Sequence, residues 1–170
     1  MPCPFRNCAD TLFGMPRAPL LIMLAAAGAL VFAFLFQYGF GYQPCILCLW
    51  QRAPFAVGII LAGLALVPRL RPYAAYLFGL CALVFFISVG LAIFHTGVER
   101  HWWLGTEGCA ITPLSGKSVE DLRTQLLHTV TARCDEIAWT FLGLSMANYN
   151  VMYSLLLALF SLGAAGRAKA

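Results

Sequence analysis

The chain reads as four long apolar runs with short polar breaks and one long polar loop. From Ala18 to Gln51 it carries no charged side chain, and Leu20 to Gln37 is dense in Leu, Ala, Val and Phe. About 20 residues at ~1.5 Å rise cross a hydrocarbon core of about 30 Å, so a first span is expected over about 18–38. Gly39, Gly41, Gln43 and Pro44 break it in a tight turn. Tyr38 and Tyr42 suit an interfacial aromatic belt. Pro44 fits the first turn of a second helix, expected over about 47–67. Pro54 has no amide hydrogen for the carbonyl of Trp50, which predicts a local bend. After the basic connection Pro68-Arg69-Leu70-Arg71-Pro72, spans are expected over 73–95 and about 142–162.

Two loops then fall on one side, 39–46 and 96–141, and the second holds most of the polar sequence. Within it, Ser118-Val119-Glu120-Asp121 resembles a capping box with Asp in place of the usual Glu. Val119, Leu122, Leu126 and Val130 follow on one helical face. A short amphipathic helix on the membrane surface or over the bundle is expected there.

Composition agrees with the pattern. The 170 residues are 61% hydrophobic and only 11% charged, against about a quarter charged in a soluble domain. The expected fold is all-α, one integral membrane four-helix bundle. The first run is too long for the core of a signal peptide, and no cleavage site is evident. A net charge of +4 is too modest to suggest nucleic acid; membrane lipid is the expected surrounding. Four spans place both termini and the 68–72 connection on one side, with six bases (Arg6, Arg17, Arg69, Arg71, Arg167, Lys169) against one acid, Asp10. The other side has five bases against six acids. The positive-inside rule puts both termini in the cytoplasm and the long loop outside, where disulfides persist.

That orientation sorts the seven cysteines. Cys3 and Cys8 fall in the cytoplasmic tail, and Cys81, within the third span, reads as a small core residue. Cys45, Cys48, Cys109 and Cys134 all fall on the oxidising side and make two pairs. A four-thiolate zinc site is one alternative, but 25 positions between Cys109 and Cys134 is a poor spacing for it; no metal is expected. Structural bracing is another, and suits Cys109 and Cys134 by themselves. It suits Cys45 and Cys48 badly, because so small a ring constrains little of the unfolded chain. A Cys-x-x-Cys pair at a helix N-terminus is better explained by reactivity, since the helix dipole and Arg52 both favour thiolate.

Arg52 near the hydrocarbon boundary costs about 1–3 kcal/mol unless it snorkels or pairs. Cys48 and Arg52 are spaced i, i+4 and share one helical face, so the cation is placed to stabilise a Cys48 thiolate and to hold a carbonyl of an apolar redox cofactor. A snorkelling interfacial arginine is the plainer alternative. His95, at the outer end of the third span, is either structural or, if it faces the same pocket, a hydrogen-bond or proton donor to that cofactor. Trp50, Trp102, Trp103 and Trp139 read as interfacial anchors.

The pattern Pro44-Cys45-x-x-Cys48-x-x-Gln51-Arg52, then His95, Cys109, Cys134 and Trp139-Thr140-Phe141-Leu142-Gly143-Leu144-Ser145, resembles the DsbB family of bacterial disulfide bond formation proteins. The resemblance covers most of the chain. It implies an inner-membrane thiol:quinone oxidoreductase working by a two-disulfide relay, with ubiquinone or menaquinone from the quinone pool as acceptor. A reduced periplasmic thioredoxin-fold partner (DsbA-like) attacks Cys109 of a Cys109–Cys134 disulfide, and the freed Cys134 pairs with Cys45. Cys48 is left as thiolate toward the quinone, with Arg52 and His95 at the cofactor. Glu99 departs from the pattern, since some relatives carry glutamine there. The vitamin K epoxide reductase family also combines a four-helix bundle with Cys-x-x-Cys, but its active pair follows the loop pair, the reverse of the order here.

Overall fold

The computed structural model describes residues 17–106, 109 and 133–169. The amphipathic helix expected from Ser118, and the tail cysteines Cys3 and Cys8, lie outside these residues. The described chain forms an all-α bundle of four helical rods, each long and apolar enough to cross a membrane. The first rod is α1 (Arg17–Phe34), continued by a wider π-helical turn over Leu35–Gly39. The second is broken into α2 (Ile46–Trp50) and α3 (Arg52–Leu66), with Gln51 as a turn between them. This is the bend expected from Pro54: with no N–H at 54, the carbonyl of Trp50 has no helical donor and the rod re-forms around Gln51.

A 3-10 turn over Pro68–Tyr73 leads into α4 (Ala74–Glu99). This helix runs one turn beyond the expected end at His95. It closes with a Schellman arrangement: the amide of Trp102 bonds to the carbonyl of Gly97 at 2.8 Å, and that of His101 to Val98 at 3.0 Å. His101 occupies the left-handed position with φ 57°. Trp103 folds back so that its indole N–H donates to the carbonyl of Phe94 at 2.9 Å. Its ring fills the space above Gly97, where an added Cβ would lie 2.0 Å from it. Trp103 is therefore part of the helix end as well as an aromatic near the surface.

The last helix, α5 (Met146–Lys169), begins later than expected. Residues 140–145 instead form a two-stranded hairpin, β1 (Thr140–Phe141) and β2 (Leu144–Ser145), with Thr140 opposite Ser145 and Phe141 opposite Leu144. The connecting pair Leu142 and Gly143 has φ 49° and 77°. Positive φ at both positions marks the tight hairpin turn, which a helix start at Leu142 cannot adopt. Ser145 then caps α5, its hydroxyl accepting from the amide of Asn148 at 3.4 Å.

Interior positions carry mostly small side chains set around Ile22, Phe78 and Phe85, and outward positions large apolar ones. Ala18, Ile22, Ala26, Ala62, Ala65, Phe78, Cys81, Phe85, Ala158 and Ala164 make one buried cluster. Leu24, Val31, Ile60, Leu83, Leu156 and Leu159 face outward. In lipid, helices gain by close packing of small residues rather than by hiding apolar area. Gly58 shows the fit, because a Cβ there would lie 2.6 Å from the tip of the buried Phe85 ring. The interfaces α1–α3, α3–α4 and α4–α5 are extensive, whereas α1 and α5 meet over little of their length. That thin side leaves room for the cavity described next.

Candidate functional site

Cys45 is the N-cap of α2, and its sulfur accepts from the amide of Cys48 at 3.2 Å. The two sulfurs are 2.8 Å apart. Cys45 is buried and Cys48 half-buried. Cys45 lies just ahead of the second membrane-spanning rod. Its thiol is held well below the ordinary range, chiefly by the hydrogen bond with the Cys48 side chain; burial opposes this and the His95 ring adds to it. The cap position, which leaves free N–H groups aimed at the sulfur, gives the local reason for thiolate character.

The second pair is bonded: Cys109 and Cys134 form a disulfide with Cα atoms 4.9 Å apart. The amide of Cys134 bonds to the carbonyl of Cys109 at 3.4 Å, and the amide of Cys109 to that of Thr106 at 2.7 Å. Gly105 lets the chain pass close, since a Cβ there would lie 2.6 Å from the Cβ of Cys109. The disulfide is buried in one packed cluster with Cys45, Leu47 and Val98, against which Cys48 and Phe94 rest. All four expected redox cysteines therefore meet at one end of the bundle. Cys81 lies apart from them in the small-residue core.

His95 faces this group. Its Nε2 is 3.5 Å from the Cys45 sulfur and 3.8 Å from Glu99 Oε1. Its Nδ1 is 2.7 Å from the side-chain amide of Gln51. Gln51 accepts in turn from the amide of Asn150, and Asn150 accepts from the hydroxyl of Ser154 at 3.0 Å. Ser154 meets Ser88 at 2.9 Å. A second branch links Glu99 to the hydroxyl of Ser145, which also takes a bond from the Asn148 amide at 3.2 Å. Thr96 closes it by donating to Asn148 at 3.3 Å.

Arg52 is placed differently from the expected thiolate contact. Its guanidinium donates to Gln37 at 2.7 Å and lies 5.0 Å from the centre of the Phe34 ring. The π-helical turn presents Gln37 to it. Arg52, Cys48 and His95 nonetheless line one cavity of about 750 Å³ between α1, α3 and α5. Its walls are mostly apolar, with Phe36, Phe55, Trp139 and Tyr153 among them, and Gln51 and Asn150 add polar groups. Trp139 stacks on Phe141 at 5.9 Å and meets Phe36 edge-on at 5.4 Å, so the hairpin forms part of the wall.

Sequence reasoning missed Gln37, Asn150 and Ser154 as members of the site and noticed Gln51 and Ser145 only as parts of a motif. A signal existed: isolated amides within apolar spans need partners, and Asn150 and Ser154 are spaced i, i+4 on one helix face.

The profile of the family described as disulfide bond formation protein DsbB matches residues 16–164. A disulfide bond formation protein B of Marinobacter nauticus is 32% identical over 148 residues, covering 82% of this chain and 85% of the relative. One of Xanthomonas oryzae pv. oryzae is 36% identical over 163 residues, covering 88% and 90%. One of Xylella fastidiosa is 36% identical over 151 residues, covering 82% and 83%. No solved structure matches the chain significantly. With four membrane-spanning helices, a cysteine cluster at one end and relatives of this kind along nearly its whole length, the chain belongs to the DsbB family of disulfide bond formation proteins.

Proposed function

We propose that the protein is a thiol:quinone oxidoreductase of the bacterial inner membrane, its redox cysteines facing the periplasm, that reoxidises a DsbA-like thioredoxin-fold dithiol. One observation carries this reading: two cysteine pairs share a packed cluster, and one of them also borders an apolar cavity lined by a half-buried cation. A purely structural pair has no use for that cavity. The charge asymmetry between the two sides of the bundle supports the orientation.

The cavity's size and lining fit a quinone. About 750 Å³ lies within the ~300–1,000 Å³ range of small-molecule sites. Arg52 offers donors for a ring oxygen, His95 lines the same cavity, and the aromatic walls suit a flat ring with an apolar tail. A quinone bound there, ubiquinone or menaquinone, takes up two electrons and two protons.

The chain's own residues do the exchange. A partner thiolate attacks Cys109, the Cys109–Cys134 bond breaks, and Cys134 leaves as thiolate. The partner's second thiol then displaces Cys109, and the partner departs as a disulfide. With the inner pair oxidised, Cys134 attacks Cys45, the Cys45–Cys48 bond breaks, and Cys48 is released as thiolate beside the cavity. Each step forms one sulfur–sulfur bond and breaks one. Cys109 then attacks Cys134, the Cys134–Cys45 bond breaks, and Cys45 leaves as thiolate. Cys45 and Cys48 would rejoin as their two electrons pass to a quinone held in the cavity, where Arg52 would offset the negative charge, so the net change is partner dithiol to disulfide.

The test is Cys48→Ser in membranes, with reduced partner and added quinone. The expected outcome is loss of quinone reduction while the protein stays folded. Normal turnover in that variant overturns the relay.

A further inference from the structure

We infer that Gln51, Asn150 and Ser154 are positioning residues that lock His95 in the tautomer with its proton on Nε2, so that the ring donates toward the sulfur of Cys45. The argument is one of donor and acceptor bookkeeping along a buried chain. Ser154 donates its hydroxyl to Asn150 Oδ1 at 3.0 Å. In the structure the Asn150 carboxamide turns its NH₂ the other way, toward Gln51, and donates to Gln51 Oε1. With its oxygen so occupied, Gln51 turns its own NH₂ toward His95 Nδ1, 2.7 Å away. An amide NH₂ only donates. Nδ1 must therefore be the bare, accepting nitrogen, and the ring's proton sits on Nε2.

That nitrogen faces Cys45 at 3.5 Å and Glu99 at 3.8 Å. Both are acceptors when ionised. The groups facing the Cys45 sulfur among the described residues are thus Cys48, His95 and Glu99. Donation from Nε2 stabilises Cys45 as thiolate, the form in which a sulfur leaves in exchange. The opposite tautomer would turn a lone pair toward the sulfur and favour the thiol. Glu99 competes for the same hydrogen and keeps the ring turned to this side. The functional half of the inference rests on the relay reading above. The tautomer half does not.

Polar groups so deep in a membrane bundle need a reason. Gln51 is 7% exposed, His95 5%, and Ser88 and Ser154 are fully buried. The chain spans the turn at Gln51, α4 and α5, and its directly bonded members lie up to 99 positions apart in sequence. A network that only glued the helices together would not depend on which end of each amide faces which neighbour. The lock does depend on it.

Nitrogen-15 NMR of histidine-labelled, detergent-solubilised protein in mildly alkaline buffer reads the tautomer directly. A His95→Phe variant assigns the signal among the three histidines. The wild type is expected to show an unprotonated Nδ1. Asn150→Asp is nearly isosteric but offers no donor to Gln51, whose carboxamide then reverses and presents its oxygen to His95. Gln51→Glu presents only oxygens. Both variants are expected to move a proton onto Nδ1. In the reduced protein, site-resolved alkylation of Cys45 at neutral pH is expected to slow roughly tenfold in Asn150→Asp, a one-unit rise in the thiol's titration. A wild-type signal protonated at Nδ1 overturns the lock without need of any variant. An unchanged tautomer in either folded variant overturns it too. Loss of quinone reduction with the tautomer intact would instead bear on the relay. A tautomer switch that leaves the Cys45 alkylation profile unmoved would sever the link from the lock to the sulfur.

Discussion

Ser154 and Ser161 lie seven residues apart on the same face of α5, and both are fully buried. Ser154 joins Ser88 and Asn150 in the network that ends at the cysteines. The hydroxyl of Ser161 finds no partner among the described residues. The first belongs to the end of the bundle where the helices are held by directed bonds between named atoms. The second belongs to the end where Ala62, Ala65, Ala74, Ala164 and Ala165 pack by small size. Two identical side chains in equally buried places thus do different work. Size is what one end requires of its residues. Chemical identity, down to which atom donates, is what the other requires.

Substitutions at the cysteine end should abolish function, and those at the packing end should only loosen the protein. The largest effect is expected from Cys109→Ala, which should reduce oxidation of the thioredoxin-like partner to background. Quinone reduction driven by a small dithiol should persist, because it can enter at Cys45 and Cys48 directly. If both activities vanish together, the two pairs do not act in series. Next is Arg52→Leu, which removes the cation lining the cavity. A hydrogen bond from a charged group to a quinone oxygen is worth about 1.5–3 kcal/mol, so the KM for quinone should rise roughly ten- to a hundredfold, and Arg52→Lys should recover only part of it. An unchanged KM would remove Arg52 from the cavity's function.

Intermediate effects are expected from packing. Gly58→Ala drives a methyl into the buried ring of Phe85 and should cost about 1–3 kcal/mol, seen as a lower unfolding temperature in detergent with residual turnover per folded molecule unchanged. The serine pair supplies the finest contrast. Ser154→Ala strands Asn150 and should cost about 1–3 kcal/mol, whereas Ser161→Ala should be neutral or slightly stabilising. Equal effects would mean that the two ends do not differ in kind. The smallest change is expected from His101→Gly. It relieves a left-handed backbone at φ 57°, a strain of about 1–2 kcal/mol, against about 0.5–1 kcal/mol of glycine's extra entropy, so a small net stabilisation is expected.

Much of this was legible beforehand because membrane physics acts on short stretches of chain. A run of about 20 apolar residues must be helical, since no water is present to satisfy its backbone. The four rods therefore follow from local hydropathy, and Pro54 predicts the break at Gln51 from one missing amide hydrogen. The reactive cysteines are legible for the same reason, because spacing and position at a helix end are local properties. The hairpin at 140–145 is not, although Leu142 and Gly143 make its turn. An apolar stretch there reads equally well as the start of a helix, and only positive φ at both turn residues separates the two.

The direction of Arg52 and the partners of His95 were decided by the assembled fold. Spacing i, i+4 put Arg52 on the face of Cys48. The π-helical turn of the first rod then brought Gln37 within 2.7 Å and drew the guanidinium to it. Gln51 meets Asn150 across 99 positions, and His95 meets Gln51 across 44. No local pattern encodes such pairs. The chain alone specified which residues had to find partners, because an amide or an imidazole in lipid cannot remain unpaired. Which partner each one found, and hence where the proton of His95 rests, depended on the order in which the helices pack.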